Sequence, residues 1–133
     1  MKSKALLTLF MLLIAGHAFC QLTKEETLKY INDVYKESFT GRGEDRPMSV
    51  TLHYQNLVVV HIVKTSSTSL KDSISYFKTS DDVAGATWTI GRPNDYILTG
   101  IGTEDNCKRL YKALLHLQAF VRQDPASKDP FSN

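Results

Sequence analysis

Residues 104–122, EDNCKRLYKALLHLQAFVR, constrain the rest of the chain more than any other stretch. Cys107, Leu110, Leu114, Leu117 and Val121 recur at spacings of three and four, so a helix places them on one stripe. Tyr111, Ala113 and Phe120 widen that stripe, while Lys108, Arg109, Lys112, Gln118 and Arg122 fall on the solvent side. Thr103 stands where an N-cap hydroxyl is wanted, Glu104 and Asp105 suit the positive end of the helix dipole, and Pro125 forbids continuation. A stripe this wide needs a broad apolar surface beneath it, and a β-sheet supplies one.

Residues 21–39 form a second helical pattern. Thr23 and Glu26 have the capping-box spacing, and Leu28, Ile31, Val34, Tyr35 and then Ser38 or Phe39 share a face. Residues 40–47, TGRGEDRP, end it with two glycines and a proline.

The middle of the chain reads as strands. In 49–55, Val50, Leu52 and Tyr54 alternate with Thr51 and His53; the β-branched run 57–64, LVVVHIVK, is expected to be a central strand. A tight turn at Gln55 and Asn56 puts His53 opposite Val58 and His61 opposite Val50. Residues 65–69, TSSTS, read as a polar loop, and 72–78, 86–90 and 96–101 as three further strands, the last two separated by the turn cluster GRPND. The expected fold class is therefore α+β: an N-terminal helix, an antiparallel meander sheet of about five strands, and a C-terminal helix packed on it. The connections are too short for parallel crossovers. A strongly bent sheet plugged by the last helix would be a pleckstrin-homology-like half barrel, and a flatter sheet with two helices on one face fits the pattern as well.

The ends set the organisation. Lys2 and Lys4 precede an apolar run at 5–15, followed by a short exit of mostly small residues at 16–20, which is the layout of a secretory signal peptide and too short to span a bilayer. Residues 1–20 are thus expected to be a signal peptide, 21–123 a single α+β domain, and 124–133 a loose C-terminal tail with two Asp-Pro pairs. Ala18 and Cys20 favour cleavage before Gln21 and release into the periplasm or beyond. The alternative makes Cys20 the acylated first residue of a lipoprotein, against which Phe19 stands where a small residue is preferred.

Removing residues 1–20 takes away Lys2 and Lys4 and no acid, so the chain's 16 basic and 14 acidic residues become 14 of each. A formally neutral domain lacks the clustered cationic excess that captures nucleic acid or an anionic membrane. Cys107 would then be the sole cysteine, which excludes an intramolecular disulfide, and its place on the apolar stripe marks a buried, inert thiol.

No motif assembles a catalytic group. His17 lies in the leader, His53 and His61 are not facing neighbours in the expected register, and His116 sits beside the stripe as an exposed residue, so no histidine pair has metal-site spacing. Gly41-Arg42-Gly43 and Gly100-Ile101-Gly102 lack the remainder of a phosphate loop, and the acidic pairs Glu44-Asp45 and Asp81-Asp82 lack calcium-loop spacing. No catalytic residue, metal ligand or cofactor is assigned. Trp88, Tyr76, Tyr96 and Phe77 are the remaining candidates. Exposed on a sheet face they would form a binding surface; buried, they belong to the core.

QLTKEETLKYIND after the leader, KALLHLQAF in the last helix and the closing KDPF resemble short exported proteins of unknown function from Bacteroidota-type bacteria. The resemblance covers the two ends, about a third of the chain, and implies export and a small α+β domain but no activity. Two functional readings follow. One is a non-catalytic exported domain binding a protein, glycan or lipid-like partner in the envelope, favoured by exposed sheet aromatics or an apolar groove under the last helix. The other is a small hydrolase or metal-dependent enzyme, which requires His53 or His61 to converge with Glu44, Asp81 or Asp82 in one cleft.

Overall fold

A computed structural model describes residues 22–81 and 85–123; the expected leader, the expected tail and residues 82–84 lie outside the described residues. The fold is α+β. Helix α1 (Lys24–Ser38) is followed by a short 3₁₀ turn (Gly43–Asp45), strands β1 (Pro47–His53), β2 (Asn56–His61), β3 (Thr65–Ser69), β4 (Ser75–Asp81), β5 (Gly85–Arg92) and β6 (Asp95–Ile101), and helix α2 (Glu104–Gln123).

The capping box opens α1 as its spacing predicts. Glu26 N–H donates to Thr23 Oγ1 at 3.1 Å while Thr23 N–H donates to Glu26 Oε2 at 2.8 Å. The buried face runs through Thr27, Ile31, Val34, Tyr35 and Ser38, with Leu28 only half-buried, so the stripe is rotated slightly from the expected one. In α2, Thr103 Oγ1 accepts from Asn106 N–H at 3.3 Å, and Cys107, Leu110, Leu114, Leu117 and Val121 are buried as their spacing requires. Each leucine at 0 % exposure removes a full side chain from water, a contribution of about 2 kcal/mol.

The strands form two three-stranded antiparallel sheets, β1-β2-β3 and β4-β5-β6, in place of one five-stranded meander. Among the described residues no continuous sheet is present to bend into a half barrel. Two features of the chain cause the division. TSSTS, expected to be a loop, is strand β3: Thr65 to Ser69 pair along β2 although only Thr68 is buried. Backbone laddering to a central strand does not require apolar side chains. The chain then leaves the sheet, and residues 70–74, of which 72–74 were expected to begin a strand, run under α2 with Leu70 and Ile74 buried. Gln118, expected on the solvent face, is buried and holds this crossing, its amide nitrogen Nε2 donating to the Leu70 carbonyl at 2.7 Å and the Asp72 carbonyl at 2.8 Å. Arg92 Nη2 spans the two sheets by donating to the Ser69 carbonyl at 3.2 Å.

The first hairpin turns at Tyr54 and Gln55, one residue earlier than expected, with Tyr54 at φ 54° and His53 paired with Asn56. Val58 therefore faces Thr51, Val50 faces Val59, and His61 faces Pro47. Both registers keep Leu57, Val59 and His61 on the same side as Val50 and Leu52, so alternation alone does not choose between them; the turn does. The central placement of β2 holds, with Leu57, Val59 and His61 buried and the residues between them half-buried.

The two helices pack on each other, α1 lies against β1, and α2 lies against β4, β5 and β6. One cluster joins them all: Ile31 and Tyr35 from α1, Val50, Leu57 and Val59 from the first sheet, Ile90, Leu98 and Ile101 from the second, and the leucines of α2.

Candidate functional site

Successive side chains of a strand point to opposite faces, and β5 divides its residues accordingly. Trp88 and Ile90 turn toward the core, whereas Thr87 and Thr89 turn away from it toward β4 and the loop after α1. Tyr76 accompanies Trp88 on the inner side: its ring lies 6.2 Å from Trp88 and 5.2 Å from Tyr111 of α2, and all three are half-buried against the core. Tyr96 lies on the outer side, 46 % exposed, with its ring centroid 5.7 Å from that of Phe77. Of the four aromatic candidates, Tyr96 is thus displayed, Phe77 is half-buried beside it, and Trp88 and Tyr76 are packed on the inner side.

Tyr96 stands at a cleft of about 200 Å3 between the outer face of the second sheet and residues 39–45. Its floor is threonine. Thr79 Oγ1 lies 3.2 Å from Thr87 Oγ1 and 3.1 Å from Thr89 Oγ1, and Thr99 adds a fourth residue of this type. Thr87 and Thr89 are buried, Thr79 and Thr99 half-buried, so the outer pair are the hydroxyl-bearing residues nearest solvent. These residues meet because Phe77 pairs with Thr89 and Thr79 with Thr87 across an antiparallel ladder.

The opposite wall is Phe39, Gly41, Arg42 and Asp45. Phe39 ends α1 in an extended conformation and forms a bridge to Ile101, while Thr40 N–H donates to the Gly100 carbonyl at 2.8 Å. Two glycines admit its ring: a Cβ at Gly41 or at Gly100 would lie 2.6 Å from a Phe39 ring carbon, and Gly100 also has φ +71°. Tyr35 supports the same wall from below. Its hydroxyl donates to the Thr99 carbonyl at 2.9 Å and accepts from Thr99 N–H at 3.2 Å, and burial pushes the phenol up to about 12.

Asp45 is held at the cleft by its main chain and by a counter-ion. Its carbonyl meets His61 Nδ1 at 2.7 Å, and its carboxylate lies 3.4 Å from Lys64 Nζ. His61 is therefore a buried fastening for the 42–46 turn. His53 is exposed at the end of β1, its ring 4.5 Å from that of Tyr54; it pairs with Asn56 at the far end of β2, which puts it roughly 16 Å from His61 by strand rise. The two histidines do not converge. Glu44 is exposed next to Asp45; Asp82 and the Asp81 side chain lie outside the described residues. Among the described residues, no three His, Cys, Asp or Glu side chains gather as a metal site. His116 is half-buried, not exposed, with Nε2 2.9 Å from the Leu22 carbonyl. Cys107 is fully buried and burial raises its thiol to about 11, which disfavours the reactive thiolate.

The threonine floor carried a signal in the sequence: Thr87 and Thr89 alternate with Trp88 and Ile90 in ATWTI, which marks a polar face opposite an apolar one. The contribution of Phe39, Arg42 and Asp45 had none, because they arrive from a loop some forty residues upstream. No helix among the described residues is long and apolar enough to cross a membrane. No family model matches the chain, and no curated protein or solved structure resembles it closely enough to inform its function.

Proposed function

We propose that the chain is a non-catalytic exported domain that binds a glycan-type partner in the envelope or outside the cell through the cleft at Tyr96. The observation that carries this reading is the pairing of a half-exposed aromatic ring with a hydroxyl-lined floor and an Arg42–Asp45 wall. A pyranose presents an apolar C–H face and a rim of hydroxyls. Tyr96 offers the first a flat ring, and Thr79, Thr99, Arg42 and Asp45 offer the second donors and acceptors in one small concavity. The leader-like residues 1–20 and the likeness of both ends to short exported proteins support export.

The test is binding of the purified chain to a panel of neutral and acidic oligosaccharides, followed by titration of any hit. The expected result is saturable binding that Tyr96→Ala weakens at least about tenfold, on the order of one lost aromatic contact. Binding that Tyr96→Ala and Thr79→Val both leave unchanged, or no binding to any member of the panel, would refute the reading.

A further inference from the structure

A second concavity, sharing no lining residue with the first, lies on the seam where α1 meets α2. It measures about 290 Å3, at the lower limit for small-molecule sites, and it is mainly apolar. Ala113 and the ring of Tyr30 form its walls, and Leu22, 48 % exposed, forms its lip. Thr27 lines it too but commits its hydroxyl to the Thr23 carbonyl at 2.7 Å. Leu22 is held in place by its carbonyl's contact with His116 Nε2, and His116 is steadied edge-on against Phe120 at 5.1 Å.

The rim is cationic. Arg109 and Lys112 stand three residues apart on α2, so both project over the same groove. Arg109 is pre-positioned: Nε donates to Tyr30 Oη at 3.0 Å, Nη1 donates to Asn106 Oδ1 at 3.1 Å, and the guanidinium lies 5.7 Å from the centre of the Tyr30 ring. All three contacts are to neutral groups, which fix the side chain without neutralising it. Three acids of the two helices are engaged elsewhere, Glu26 in the capping box, Asp33 with Lys29 and Glu104 with Lys108. Among the described residues neither Arg109 nor Lys112 forms an ion pair.

We infer that this groove is a binding site for a medium-chain carboxylate, its hydrocarbon seated against Leu22, Tyr30 and Ala113 and its headgroup against Arg109 and Lys112. An apolar floor beneath two uncompensated cations is complementary to a molecule that is apolar along its length and anionic at one end. The small volume selects a short tail over a full-length lipid.

The purified chain is titrated with sodium octanoate and, separately, with octanol, while backbone amide resonances are followed by NMR. Octanoate is expected to shift Leu22, Thr27, Tyr30 and Ala113 saturably and to bind at least about tenfold more tightly than octanol, the difference made by one good charge-assisted contact. Arg109→Gln combined with Lys112→Gln, both at exposed positions, is expected to remove that preference and leave octanol binding within about twofold. Ala113→Trp is expected to abolish both. The inference fails if octanol binds as tightly as octanoate, if the double variant keeps the preference, or if the shifts map to the Tyr96 cleft or nowhere. Since the two sites share no lining residue, loss of binding at the helix seam leaves the glycan reading standing.

Discussion

Asn32 and Val50 are joined by two hydrogen bonds, Val50 N–H donating to Asn32 Oδ1 at 2.7 Å and Asn32 Nδ2 donating to the Val50 carbonyl at 2.6 Å. The side-chain amide thus offers β1 the pattern that a neighbouring strand would, and it does so from a helix. Its second N–H goes to the Leu28 carbonyl at 3.0 Å, which fixes the rotamer. Val50 is 2 % exposed, so its main chain has no access to water if the amide is removed. Asn32→Ala is expected to cost about 2–3 kcal/mol, read as a lower urea midpoint at unchanged slope. A loss below about 0.5 kcal/mol would show that Val50 finds other partners.

Phe39 and Gly100 make a second joint, steric where the first is polar. Gly100→Ala places a methyl 2.6 Å from Phe39 Cε2 and forces an L-residue to φ +71°. The expected loss is about 2–3 kcal/mol. In a Phe39→Ala background the clash is gone and the added cost should fall to about 1 kcal/mol, that of the left-handed backbone alone. A double-mutant cycle in thermal unfolding measures the difference, and simple additivity would rule out the steric account.

These two joints also show which parts of the structure were legible in the sequence. The leucine stripe of α2 and the Thr23–Glu26 box are local, repeated or tightly spaced signals, and both elements form as read. Gln118 illustrates the opposite case: nothing within α2 reveals that the Leu70 and Asp72 carbonyls, 48 and 46 residues away, will need a buried donor. β3 has no apolar alternation to announce it, since its strand character comes from pairing with β2. At the candidate cleft, the aromatic residues were visible as a group, but assigning Tyr96 outward and Trp88 and Tyr76 inward requires the face each strand presents to α2. Composition does not encode that.

Two buried protons predict behaviour at high pH. Burial raises Tyr35 from 10.0 to about 12, its bonds to Thr99 opposing the rise only in part; burial and then Glu104 raise Cys107 from 9.0 to about 11. The folded chain therefore holds both protons after the unfolded chain has released them, and stability falls as pH rises. The contributions are complete below pH 9. Cys107 is lost between about 9 and 11 and Tyr35 between about 10 and 12, the latter worth about 3 kcal/mol. Urea unfolding across this range should show Cys107→Ala flattening the lower part of the fall and Tyr35→Phe the upper part. An unaltered slope in Tyr35→Phe would contradict the assignment.

The proposed export makes a prediction about the chain's own mass. Protein recovered from its native host is expected to begin at Gln21, and metal analysis of the same sample to show no stoichiometric metal. A diacyl or triacyl mass on Cys20 would instead support the lipoprotein alternative. A stoichiometric metal would return attention to His53, His61 and the loop acids, despite their separation across β2.

Trp88 and Tyr96 give the cleft a built-in internal control. Trp88 is the sole tryptophan and lies on the inner face of the second sheet beside Tyr76, whereas Thr87 and Thr89 on either side of it face the cleft. A ligand seated on Tyr96 touches the outer face and should leave the Trp88 emission maximum unmoved, since no solvent is gained or lost around the indole. Tyr96 amide and ring resonances should shift in the same titration. Medium-chain carboxylates in the helix seam should move neither ring's signals, because Tyr30 is the aromatic residue lining that groove. The outcome that would undo this two-faced description is a ligand that moves Trp88 emission as strongly in Tyr96→Ala as in the unaltered chain. Such a ligand would be binding beneath α2, on the face that the core now fills.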